Sequence, residues 1–172
     1  MNHFELFGLP QGFPLDAAAL ADTYRRLQAQ FHPDRFAAAP EGERLIAVTR
    51  AAQINEAYAT LKSPLRRAEY LLSLHGHDIR GESQTLQDRT FLMQQMEWRE
   101  ALEELRFADD VEGAIDAFRR EIKGEHKVLM TALERHLATR SWDAAVDAVR
   151  KLKFVDKMLE ELERLEDSLL EL

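Results

Sequence analysis

Residues 24–35 read Tyr24-Arg-Arg-Leu-Gln-Ala-Gln-Phe-His-Pro-Asp-Arg35. Leu20, Tyr24, Leu27 and Phe31 recur at spacings of 4, 3 and 4, the period of one apolar helix stripe. Arg25 and Arg26 fall off that stripe, onto the solvent side. Pro33 removes an amide donor and disfavours helical geometry at His32, so the helix must end near Phe31. Asp16 is a good N-cap at its other end. The proline also restricts the backbone between two polar side chains. This leaves His32 and Asp34 on a stiff, non-helical bend that can bond a partner at low entropic cost.

Downstream, a loop is expected through Arg35, Phe36 and three alanines. Pro40 suits a first helical position, with Glu41 and Glu43 favourable in the first turn. Ala47, Ala51, Ile54, Tyr58 and Leu61 then form a second stripe, and its alanines permit close approach to the preceding helix. Pro64 breaks that helix. Leu65, Ala68, Leu71, Leu72 and Leu74 form a short last one, with Gly76 placed to cap its C-terminus. Upstream, a short opening helix through Phe4–Phe7 ends at Gly8-Leu-Pro10. No alternating strand pattern occurs anywhere, so the chain reads as all-α.

Residues 76–83 are polar and glycine-bearing and read as a linker. The expected domains are 1–75 and 84–172. Three helical patterns occupy the second, roughly 84–108, 111–138 and 142–170. Their short connections imply antiparallel neighbours and a three-helix bundle. Charge divides at the same place. Residues 1–75 carry 8 Lys/Arg and 8 Asp/Glu, whereas residues 76–172 carry 15 against 23, so the net charge of −8 lies wholly in the second half. Halves this different are expected to meet different partners. The acidic balance argues against general nucleic-acid binding, which needs basic patches to displace counterions.

With 45% hydrophobic and 31% charged residues, the composition is that of an ordered, water-soluble protein. No cysteine is present, which excludes disulfides and thiolate-ligated zinc or iron–sulfur sites within the chain. No secretory signal and no run of about 18 apolar residues is found, so a cytoplasmic protein without membrane contact is expected.

On a helical wheel of residues 91–105, Phe91, Trp98, Leu102 and Leu105 share one narrow stripe, the expected core. Leu92, Met93 and Met96 lie well around from it, bordered by Glu97, Glu100 and Glu104. An amphipathic helix has no need of this second apolar patch. In the last helix Val149, Leu152 and Leu159 face the core, and Phe154 falls roughly opposite. These residues read as a contact surface, or as packing against the first domain or a neighbouring helix. Elsewhere, Lys151, Lys153 and Lys157 read as a solvated face, with a place beside the Phe154 surface as the alternative for Lys153. His75-x-His77-Asp78 has metal-ligand residue types, but Gly76 between the histidines points to a helix cap. No metal, cofactor or catalytic nucleophile is expected.

The stretch 24–35 resembles the end of helix II and the loop of a J-domain. Ile54-Asn-Glu-Ala-Tyr-Ala-Thr-Leu61, Ser63-Pro64 and Arg66-Arg67-Ala68-Glu69-Tyr70 resemble its helices III and IV. The resemblance implies docking of His32, Pro33, Asp34, Arg25, Arg26 and Arg35 on a heat-shock chaperone of the DnaK type, whose ATPase is thereby stimulated. Arg35 stands where lysine is usual, with charge kept. The whole chain is similar to the HscB family of iron–sulfur cluster assembly co-chaperones. The stretches 67–76, 91–100 and 142–154 carry that likeness. It implies an HscA-type chaperone as one partner and an IscU-type scaffold protein as the other. It also implies scaffold binding by Leu92, Met93, Met96, Glu97, Glu100, Glu104 and Phe154, with Met96 where leucine is common. The competing expectation is a J-domain co-chaperone with a different client, or with a structural or dimerising bundle.

Overall fold

A computed structural model describes residues 1–79 and 88–170 of the chain. All regular structure among them is helical, in two compact units, Met1–His77 and Asp78–Leu172. The expected linker residues 80–83 and helix residues 84–87 lie outside the described residues.

The first unit holds α1 (His3–Leu6), α2 (Ala17–Phe31), α3 (Glu41–Lys62) and α4 (Pro64–Leu74). Helix α1 starts one residue before the expected span because Asn2 caps it, its side chain accepting from the Glu5 amide. Asp16 caps α2 as its chemistry suggests, accepting from Ala18 and Ala19. Of the α2 stripe only Leu20 is fully buried. Tyr24 is half-buried, stacked on Tyr58 of α3 with ring centroids 3.9 Å apart, and its hydroxyl donates to Asn55 Oδ1 at 2.8 Å. Ala47, Ile54, Ala57 and Leu61 bury the facing side of α3. Pro40 sits at the N-cap rather than the first helical position, and Glu41 begins the helix.

Two features of this core depart from composition. The connection between α1 and α2 is not a solvated loop, because Phe7 and Phe13 are buried. Arg67 is also buried. Its guanidinium donates to the Leu61 carbonyl at 2.6 Å and lies 4.9 Å from the Phe13 ring centroid, and burial lowers its pKa. That carbonyl belongs to the last turn of α3, where it has no intrahelical partner, so a cation there is favourable. Gly76 has φ 85°, and the His77 amide donates to Leu72 O at 2.8 Å. This is a Schellman cap, as a glycine just past a helix end permits.

The second unit holds α5 (Arg89–Glu104), a 3-10 turn (Leu105–Phe107), α6 (Val111–Ala138) and α7 (Trp142–Leu170). Asp88 and Asp110 cap α5 and α6. Cross-helix pairs give the topology. His126–Asp156 at 3.1 Å and Arg119–Glu166 at 2.8 Å run α6 antiparallel to α7. Asp88–Lys151 at 2.8 Å and Arg99–Glu161 at 3.0 Å run α5 parallel to α7. That is an up-down-up three-helix bundle. Its core includes Phe91, Trp98, Ile122, Leu133, Val155 and Met158.

Candidate functional site

The bend after α2 is not an open loop. His32 is extended at φ −61°, ψ 134°, and Pro33–Phe36 form one turn of 3-10 helix with the proline at its start. The Asp34 amide donates to His32 Nδ1 at 3.2 Å, and the Arg35 amide donates to His32 O at 3.0 Å. Asp34 Oδ2 lies 3.6 Å from the same imidazole nitrogen. The turn is therefore tied to the residue before it by two local bonds as well as by the proline ring. The carboxylate itself projects outward, its side chain 94% exposed. An imidazole accepting at Nδ1 carries its proton on Nε2. The apex thus offers a donor from His32 and an acceptor from Asp34.

Around this apex the arginines differ. Arg35 turns back, its guanidinium donating to the Ala29 carbonyl near the end of α2 at 3.4 Å. Arg25 pairs with Asp22 one turn earlier, and Arg26 is exposed on the same helix. Arg25, Arg26, His32, Asp34 and Arg35 are each exposed.

In the second unit α5 presents two faces. Phe91 and Trp98 are buried, and Leu105 continues that stripe into the 3-10 turn. Leu102 and Leu159, expected in the core, are only half-buried at its margin. On the other side Met93 is 63% and Met96 72% exposed, and Glu97, Glu100 and Glu104 lie among them in solvent. Leu92 is half-buried at the edge of this face.

Phe154 takes the second of its two expected settings, packing against a neighbouring helix, rather than lying fully outward. It is half-buried, with its ring edge-on to Phe91 at 6.0 Å and stacked on Trp98 at 6.3 Å and 12°. The Arg99 guanidinium covers it at 5.4 Å from the centroid. The reason is geometric. Helix α7 has two neighbours, so its buried arc widens to roughly half the circumference, and Phe154 sits at the border where α5 packs.

Lys151 also departs from the solvated face expected for it. It bridges Asp88 and Asp147 at 2.8 and 2.9 Å and lies 5.5 Å from the Phe91 ring centroid. Burial alone would lower its pKa, but the hydrogen bonds it donates to both carboxylates outweigh that and raise it. The same bond holds the Asp88 carboxyl below its usual range, helped by the Phe91 amide. Asp88 therefore caps α5 and fastens it to α7 with one side chain. His75, His77 and Asp78 gather into no metal cluster, and none of three or more His, Asp or Glu side chains is found among the described residues.

A helix pair whose proline-stiffened apex presents histidine and aspartate, joined to an all-helical bundle, is the architecture of a J-domain co-chaperone. The family model for the DnaJ domain matches residues 2–70, and that for the HSCB C-terminal oligomerisation domain matches residues 87–163. A co-chaperone HscB homolog of Aeromonas salmonicida is 68% identical over 171 residues, covering 99% of both chains. The chaperone HscB of Vibrio cholerae superposes with a TM-score of 0.89 at 51% identity, covering 98% of this chain and 99% of that one. The human co-chaperone HscB superposes equally well at 28% identity, covering 96% of this chain and 82% of the other. The chain belongs to the HscB family of co-chaperones.

Proposed function

We propose that the protein couples two partners in iron–sulfur cluster assembly. The first unit stimulates the ATPase of an HscA-type chaperone of the DnaK class. The second unit delivers an IscU-type scaffold protein to it. The observation that carries this reading is the exposed, locally tied His32-Pro33-Asp34 apex beside a helix bearing Arg25 and Arg26. A pre-ordered donor and acceptor lose little freedom on docking, so their bonds go mainly into affinity and orientation. Arg25 and Arg26 add attraction to an acidic surface and hasten encounter.

For the scaffold, Leu92, Met93 and Met96 supply apolar contact, and Glu97, Glu100 and Glu104 select a basic rim. Full burial of one such side chain contributes about 1.5–3 kcal/mol. Association opposes this with roughly 4–15 kcal/mol. The surplus left for binding is small, so the affinity is modest, which suits a carrier that must release its load. Phe154, half-buried against Phe91 and Trp98, supports this face from behind.

The test is an ATPase assay of the purified chaperone, titrated with this protein, with and without scaffold. Stimulation that rises further when scaffold is added supports the reading. Turnover that stays at the basal rate refutes it. A second reading has one specific observation in its favour. The model matching residues 87–163 is described as an oligomerisation domain, which fits a self-associating bundle. Sedimentation that shows a concentration-dependent dimer would favour it.

A further inference from the structure

From Met93 the exposed face of α5 runs on past the last residue so far assigned to it. Phe107 closes the 3-10 turn after α5 and is 81% exposed, the most exposed aromatic ring among the described residues. A hydrophobic ring left in water at the end of a helix whose opposite face is fully used calls for an explanation. Its direction supplies one. Along α5, Met93, Glu97, Glu100 and Glu104 return to nearly the same bearing at 3.6 residues per turn. Three residues of 3-10 helix make one full turn, so Phe107 projects where Glu104 does. Leu105, one third of a turn away, is buried. The ring therefore lies on the methionine face, about 22 Å beyond Met93.

We infer that Phe107 is a second apolar anchor for the scaffold protein, so that the binding face is a strip with greasy ends and an acidic middle. This rests on the reading of α5 as the scaffold-binding helix. Glu97, Glu100, Glu103 and Glu104 occupy the interval between Met96 and Phe107, and Asp109 and Asp110 follow it. Arg89 sits at the other end of the strip, and Arg99 is engaged with Glu161. Arg106 precedes Phe107 but projects a third of a turn away. The occupant must therefore present two apolar recesses about 20 Å apart with basic side chains between them. A second copy of this chain fits poorly, since a two-fold contact would set the acidic stretch against itself.

Calorimetric titration of the full chain with the purified IscU-type scaffold tests this, comparing wild type, Phe107→Ala and the double variant Met93→Ala/Met96→Ala. Because Phe107 is exposed, Phe107→Ala should keep the wild-type melting temperature. It should weaken binding about tenfold, and Phe107→Leu should recover part of the loss. Wild-type affinity for Phe107→Ala beside weakened binding by the methionine variant would overturn the anchor while leaving the α5 reading intact. Unchanged affinity in both variants would remove the α5 reading and the anchor with it. Phe107→Ala altering only self-association, seen by sedimentation, would assign the ring to a second copy and overturn the inference.

Discussion

The apex at residues 32–34 is held by bonds that span at most three residues, whereas the α5 face is held by partners as distant as Asp88 with Lys151 and Arg99 with Glu161. The first is a local object. A proline and two short hydrogen bonds restrict it, and α2 and α3 need only carry it into solvent. The second is a tertiary object. Its methionines protrude because Phe91, Trp98 and Phe154 turn the helix the other way. Damage should therefore behave differently. Changes at the apex should remove function without loss of stability, and changes behind α5 should remove both together.

The largest effect is expected from Asp34→Asn. It removes an almost fully exposed charge, so the thermal midpoint should not move. Stimulation of the chaperone ATPase should nonetheless fall to the basal rate in a turnover assay. A comparable loss accompanied by unfolding would mean that the apex is not the local object described. Phe154→Ala should cost about 1–3 kcal/mol, less than full burial would give, measured by urea denaturation. Met96→Ala should stay within about 0.5 kcal/mol of wild type. Both should weaken scaffold binding. If Phe154→Ala left stability unchanged, the ring would not be part of the packing behind α5.

Lys151→Met should lower the melting temperature by a few degrees and should change its pH dependence. The Asp88 carboxyl is depressed in the folded state, so its contribution is present above the ordinary carboxylate range and is lost as pH falls through the depressed value. Lys151 is raised, so its share is present below its usual value and is lost as pH rises past the raised one. The gap between wild type and variant should thus be widest near neutrality and should narrow below about pH 4. A gap that stays constant from pH 3 to 7 would show that the bridge does not tie α5 to α7. A small change of opposite sign is expected at Arg140, which closes α6 at φ 57°, where a side chain is strained. Arg140→Gly should stabilise by about 0.5–1 kcal/mol, read as a higher denaturation midpoint.

Both regions are partly legible in the sequence by itself. The apex could be read because proline acts on its own neighbours. Helix stripes could be read because α-helical geometry repeats every 3.6 residues. Leu20, Ala47, Ile54, Phe91 and Trp98 are buried where the period put them. The outward reading of Phe154 gave way to its alternative, packing against a neighbouring helix, and the solvated reading of Lys151 gave way too, both for one reason. A wheel gives the bearing of a side chain but not how many neighbours a helix has. With α5 and α6 both against α7, the buried arc broadens and takes in residues that a single-stripe reading sets outside. The buried Arg67 escaped notice similarly, because an arginine is mostly exposed unless something waits to pair with it. Here the uncapped Leu61 carbonyl ends the preceding helix, and the Phe13 ring comes from the distant connection between α1 and α2.

Short-range chemistry in the chain was thus enough to determine seven helices' worth of periodicity, the breaks at Pro33 and Pro64, the caps at Asp16 and Gly76, and the split between a neutral and an acidic half. Tertiary structure alone decided which residues off the core stripes are buttresses: Phe154 and Lys151 are engaged, whereas Phe107 stands in water. Backbone geometry acts within a few residues and is written in their order. Burial depends on which helix comes to lie alongside, and that is settled only when the bundle closes.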